Sequence, residues 1–410
     1  METLLLAWRN TWRNRRRTLI TILAMSFSLM LVQAFHNLSF GVYAQMVDSG
    51  VRAGSGHIAV YRGNYASSRD DHLFWDKGDL DQKIAKLEGV KAVLPRLYLP
   101  ALAQSSRESR GIMLTGIDPV AENAINPLLK NIDAPALIKS LDGRDALLGS
   151  RLLTELKLKI GNKFVVTAQG PHGELISELL RIRGVITSGI REVDGSLVMV
   201  GLKRAASITG DPDAIHELAV ILENPKLEKR LLPLVAGTLP PDSDLKAVSW
   251  QVAMANLANA IKLDHASQEF IFVVIVLIVT IGVVNTLLMA VMERIREFGV
   301  ILAVGATPGR LRIMVMTEAL LLGTVSMLLG NLLGALATWY LADVGIDLRD
   351  FIPDTMEFGG VVFDPVMRAS WDIAYMLQMS LYILVLSLVA SLYPAAKAAR
   401  IAPAAAMRHH

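Results

Sequence analysis

In the 47–267 segment, His57, His72, His172, His216 and His265 are the imidazoles that could ligate a metal or move a proton, and they are scattered without ligand spacing. No H-E-x-x-H, G-x-S-x-G or G-x-x-x-x-G-K-[ST] pattern occurs. The chain has no cysteine, which excludes thiolate metal sites, thiol nucleophiles and structural disulfides together. The sequence therefore predicts no catalytic residue, metal or cofactor in this chain. What remains is non-covalent chemistry. Glu293, Arg294, Arg296 and Glu297 set two acids and two bases beside the apolar residues Phe298 and Leu302. Charges flanking a short apolar face suit the binding of another protein.

That segment, residues 293–310, has the spacing of a short helix between two long apolar runs. Gly305 fits the left-handed residue that ends a helix, and Thr307-Pro308 supplies an N-cap with proline in the first turn. Ile295, Phe298 and Leu302 fall on one face, which is expected either to dock a partner or to pack on the N-terminal helix. Glu318 lies about 10 Å inside the apolar run that follows, at 1.5 Å per residue from Leu311. A carboxylate at that depth is costly and needs a reason.

These residues must be positioned by membrane helices. Hydrophobic residues make up 52% of the chain, against roughly 45–50% in soluble domains, and the excess sits in four blocks. Each is long enough to cross the roughly 30 Å hydrocarbon layer. The expected spans are 18–46, 268–292, 311–342 and 371–394. Arginine and lysine flank the first span at Arg9, Arg13, Arg15, Arg16 and Arg17. They recur at Arg294, Arg296, Arg310 and Arg312, and again at Lys397, Arg400 and Arg408. Under the positive-inside rule both termini and the 293–310 loop are cytoplasmic, and residues 47–267 and 343–370 lie outside. The first apolar run exceeds a signal peptide's usual core and is expected to be retained. Residues 1–17, with Trp8 and Trp12 among arginines, read as an amphipathic elbow helix at the membrane surface. Residues 395–410 form a cytoplasmic tail. A net charge of +3 without a basic, aromatic-laced stripe gives no case for nucleic acid.

The 47–267 insertion reads as an α+β domain. Strands are expected near 57–61, 163–168 and 179–186, and helices over 80–87 and 150–158. Pro233, Pro240 and Pro241 predict a break before the chain re-enters the membrane. Breaks near 140 and 215 suggest two lobes, the second covering roughly 140–215. The fold class is thus a multi-pass α-helical membrane protein of four transmembrane helices, with an inserted two-lobed extracytoplasmic α+β domain.

The run E-R-x-R-E-F-G-x-x-x-A-x-G-A-T at 293–307, E-A-L-L-L-G at 318–323 and the closing Y-P-A-A-K-A-A-R-I-x-P-x-x-A-M-R at 393–408 resemble the FtsX-type permease family, which includes MacB, FtsX and LolC/LolE. Ala303 departs from the basic residue that many relatives carry there. Gly54–Tyr61, Gly116–Pro119 and Leu147–Lys163 resemble blocks of the LolC/LolE branch.

The resemblance implies a non-catalytic permease subunit of an ABC transporter in the bacterial inner membrane, working by mechanotransmission. ATP and magnesium would be bound by a separate ATPase subunit dimer, docked at Glu293, Arg294, Arg296, Glu297, Phe298 and Leu302. A second permease copy, identical or paralogous, would complete the membrane unit. The implied activity is lipoprotein extraction from the inner membrane, with a periplasmic carrier or adaptor downstream. The alternatives are a MacB-like efflux permease and an FtsX-like signalling relay. Met25, Phe27, Met30, Phe35, Phe40 and Phe270 are the expected wall of a lipid cavity. Glu318 is expected to pair with the cytoplasmic arginines.

Overall fold

A computed structural model describes residues 7–9, 12–130, 132–348, 357–358, 361–362 and 366–400. They fall into two compact units. One comprises Met1–Tyr43, Leu263–Leu348 and Val366–His410, and the other Ala44–Lys262 with Arg349–Pro365.

Among the described residues, four long helices match the expected spans: α1 (Arg15–Ala53), α2 (Ala255–Glu293), α4 (Pro308–Asp343) and α5 (Ile373–Ala399), the last starting two residues later than expected, with the short α3 (Ile295–Ala303) between α2 and α4. The boundaries differ from expectation where charged residues continue a helix. Arg15, Arg16 and Arg17 already form the first turn of α1, preceded by a 3-10 turn at Trp12–Asn14; residues 7–9 are helical, and the rest of the expected elbow helix over 1–17 lies outside the described residues. α2 begins at Ala255, so the stretch assigned to the inserted domain ends in helix. α5 continues past Pro394 to Ala399, because a proline removes one backbone donor while Ala395 and Ala398 beyond it are buried. The tail from 401 onward lies outside the described residues.

α1, α4 and α5 pack through small residues and polar pairs. A Cβ on Gly330 would stand 2.9 Å from Leu29 Cδ2, and one on Gly334 would stand 2.3 Å from Gln33 Oε1. The Gly-x-x-x-Gly spacing therefore sets the approach of α4 to α1. Gln33 Nε2 donates to Asn331 Oδ1 at 2.8 Å, Ser380 Oγ donates to the same oxygen at 2.9 Å, and Asn37 Nδ2 donates to Thr338 Oγ1 at 3.0 Å. α2 is packed less: 11% of its most apolar window is buried, against 33–39% in the other three.

The second unit is built on nine strands: β1 (Ile58–Arg62), β2 (Val90–Gln104), β3 (Ser109–Ile117), β4 (Asp145–Gly149), β5 (Lys163–Gln169), β6 (Leu175–Ile186), β7 (Leu197–Gly201), β8 (Glu217–Leu222) and β9 (Leu245–Ser249). Their order is β9-β1-β8-β2-β3-β7-β4-β6-β5, and β5 also pairs with the end of β2 at Ala101–Gln104. β2 to β7 thus close a six-stranded ring, while β9, β1 and β8 form an open wing on residues 90–96 of β2.

The two expected lobes share this one strand and one core. Ile58, Val60 and Leu218 of the wing cluster with Leu148, Phe164 and Leu180 of the ring. The second lobe accordingly begins within β2, well before residue 140. The proline-rich stretch also differs: Pro233 sits inside the helix Glu228–Thr238, which buries Leu231 and Val235. The observed class is a multi-pass helical membrane protein with an inserted α+β domain.

Candidate functional site

α3 is set between α2 and α4 by local signals. Gly305 has φ +103°, its N–H donates to Leu302 O, and Ala306 N–H donates to Ile301 O. This pair of bonds closes the helix end in the Schellman pattern. The Thr307 side chain then accepts from Arg310 N–H, with Pro308 at the first position of α4.

An ion-pair network surrounds this joint. Arg294 Nη1 lies 2.9 and 3.1 Å from the two oxygens of Glu318, and Arg294 Nε is 3.2 Å from Glu297 Oε2. Arg13 pairs with Glu297, and Arg17 Nη1 donates to Glu293 Oε2 at 2.8 Å. Hydrogen bonding from Arg13 first, and from Arg294 as well, holds the Glu297 carboxyl below its usual range. Glu318 therefore has the arginine partnership expected of it. Arg13, Arg17, Glu293, Arg294 and Glu318 line a cavity of about 230 Å³ together with Thr18, Asn14 and Thr286. Its charges are committed to one another, so its role in this unit is to lock α1, α2, α3 and α4 together.

Phe298 corrects the expected exposed face. It is fully buried against Val291, Leu311, Val315, Ala395 and Ala398, with the Arg294 guanidinium 5.0 Å from its ring centre. Ile295 and Leu302 are half-buried. The exposed apolar residues of this segment are Val300, Ile301 and Val304, the last 84% exposed. Val300 and Ile301 border one shallow depression with Glu293, Arg296 and Glu297. Spacing alone allowed this edge, since Glu297, Val300, Ile301 and Val304 also recur at three- and four-residue steps. α3 is apolar on both edges, so its sequence alone does not select between them.

A second cavity, of about 280 Å³, opens among α1, α2 and α5. Leu29 and Val32, Phe272 and Val276, and Ile383 and Leu386 supply its apolar walls, with Ser28 and Tyr382 at its margin. None of the six expected lipid-contacting residues lines it. Met25 is buried in the bundle core, and Met30 is half-buried. Phe27 and Phe35 lie on an outward stripe with Leu23 and Leu31, one residue per four, and Phe40 and Phe270 are also exposed. The helix period separates them from Leu29 and Val32 on the inner face.

Residues 269–403 match the family described as FtsX-like permease C-terminal. The chain is 25% identical over 332 residues to the lipoprotein-releasing system transmembrane protein LolC of Neisseria meningitidis serogroup B, covering 78% of this chain and 79% of that protein. It is 22% identical over 337 residues to the corresponding LolE of Haemophilus influenzae, covering 81% and 80%. Among solved structures, it is similar to the periplasmic region of MacB from Actinobacillus actinomycetemcomitans, with a TM-score of 0.36, 14% identity, and coverage of 52% of this chain and 98% of that one.

Proposed function

We propose that this chain, an FtsX-type permease of the LolC/LolE-like branch in the bacterial inner membrane, couples a separate ATPase subunit to the extraction of lipid-modified proteins. The observation that carries the reading is the similarity to LolC. Its 332 residues exceed either compact unit and so include membrane helices and the inserted domain together.

In this reading the arginine-rich helix ends face the cytoplasm and the nine-stranded unit faces the periplasm. The ATPase dimer holds ATP and magnesium and docks on the Val300–Ile301–Val304 edge beside Arg296. Buried Phe298 and the Arg294–Glu318 pair pass the push from α3 into α4 and α5. A second permease chain faces the poorly buried surface of α2. Acyl chains occupy the apolar cavity at Leu29, Phe272 and Ile383, whose lining offers hydrocarbon contact with few polar groups to desolvate. The released lipoprotein passes to a periplasmic carrier.

The test is reconstitution. The chain, co-purified with its ATPase and placed in liposomes with a triacylated lipoprotein, is expected to release that lipoprotein in an ATP-dependent manner. A photo-crosslinker at Val276 should capture its acyl chains. ATP hydrolysis without release, together with capture of a soluble small molecule instead, would overturn lipoprotein extraction.

A further inference from the structure

The nine-stranded unit holds a buried ionic cluster that the docking and lipid sites do not use. Arg96, on β2, is 1% exposed, and Glu122 and Glu217 are fully buried. Arg96 Nε and Nη2 bind the Glu122 carboxylate, the latter at 3.2 Å, and Nη1 lies 3.6 Å from Glu217 Oε1. The same guanidinium also donates to two backbone carbonyls, Arg52 O at 3.0 Å and Gly54 O. Arg52 is in the last turn of α1 and Gly54 directly follows its end, where a helix leaves acceptors unpaired and its dipole favours a cation.

The cluster continues to the other helix. Tyr61 Oη donates to Glu217 Oε2 at 2.6 Å, and Arg69 stands over the Tyr61 and Tyr65 rings at 5.8 and 5.4 Å. Arg69 Nη2 donates at 3.2 Å to Ala253 O, at the end of the turn that precedes α2. Arg69 holds φ at +51°, a backbone conformation that few residues other than glycine adopt and that strain makes uncommon away from constrained sites. One path therefore joins the carbonyls at the end of α1 to the carbonyl preceding α2, through buried Arg96, Glu217 and Tyr61 and then Arg69, whose side chain reaches the surface.

Stability does not account for this arrangement. Buried ion pairs rarely exceed hydrophobic residues of equal volume in net stabilisation, and what they add is a fixed, directional attachment. We propose that Arg96 and Arg69, linked through Glu217, are positioning residues of the transport cycle that fasten the ends of α1 and α2 to the sheet, so that helix displacement becomes domain displacement. The proposal rests on the ATP-driven reading above.

The experiment uses the reconstituted complex of full-length chain and ATPase. The combined variant Arg96→Met, Glu122→Gln, Glu217→Gln removes the charges without stranding one. It is expected to assemble, melt close to wild type and hydrolyse ATP at the wild-type rate. Lipoprotein released per ATP should fall about tenfold. Arg69→Met should lower the same ratio, and Arg69→Lys should restore part of it. If the combined variant does not fold, Arg96→Lys keeps the charge but loses the fork that reaches both carbonyls, and the same drop in release per ATP is expected. An unchanged ratio, or hydrolysis and release falling in step, overturns the proposal. A wild-type chain that recruits no ATPase refutes the transporter reading instead.

Discussion

Arg294 and Glu318 form a two-point contact, with one guanidinium nitrogen 2.9 and 3.1 Å from the two carboxylate oxygens, and it ties the start of α3 to the body of α4. Neither side chain is more than 12% exposed, so each depends on the other for its charge. Glu318→Gln leaves Arg294 with Glu297 alone and is expected to cost on the order of 3 kcal/mol. The double variant Arg294→Met, Glu318→Met should cost less than the two single changes added together. Thermal melting in detergent reads both, and strictly additive losses would show that the pair is not coupled.

Docking should depend on the exposed edge of α3. Ile301→Asp and Val304→Asp are expected to abolish co-purification of the ATPase while leaving the melting temperature unchanged. Phe298→Asp should lose both, since removing a buried phenylalanine alone costs about 3–5 kcal/mol. Recruitment that survives Val304→Asp and Ile301→Asp together would place the ATPase elsewhere.

Glycines in the membrane helices should divide by their surroundings. Gly330→Val and Gly334→Leu push side chains into α1 and are expected to destabilise by about 1–3 kcal/mol each. Gly282 on α2 has nothing within 4 Å of an added Cβ, so Gly282→Ala should be tolerated. Melting curves of the three variants provide the comparison, and equal effects would remove the packing argument.

His57 predicts an acid-side loss of stability in the nine-stranded unit. Its ring is buried, Nδ1 accepts from Leu222 N–H at 3.2 Å, and burial pushes its pKa from 6.5 to about 4. The folded state therefore favours the neutral ring. Its contribution is complete above pH 6.5 and is lost as pH falls toward 4, where the unfolded chain binds the extra proton. Burial lowers His216 in the same direction. Hydrogen exchange across Glu217–Leu222 should speed up over this window, and less so in His57→Gln. Identical pH profiles would assign the effect to other groups.

The sequence carried the membrane architecture well because each span is a long uninterrupted apolar run, whose signal needs no partner to be read. It carried the sheet less well. β8 is buried on both faces from Glu217 to Leu222 and so lacks the alternation that betrays a strand. Its glutamate looks like surface until Tyr61 and Arg96 are brought beside it. The apolar cavity was missed for a related reason. Bulk alone points to Phe27 and Phe35, whereas the rotation of α1 against its neighbours brings Leu29 and Val32 to the cavity. α3 posed the same difficulty, since Ala395 and Ala398, which decide which face is hidden, arrive from the far end of the chain.

The fifteen residues of β2 serve ring and wing at once, and this bears on how the domain can be cut. Deleting residues 140–215 would take four of the six ring strands and leave β3 and Ala101–Gln104 with unpaired backbone along open edges, a template for aggregation. Modular swaps between relatives should therefore exchange the whole nine-stranded unit, with junctions in α1 and α2 rather than between its two halves.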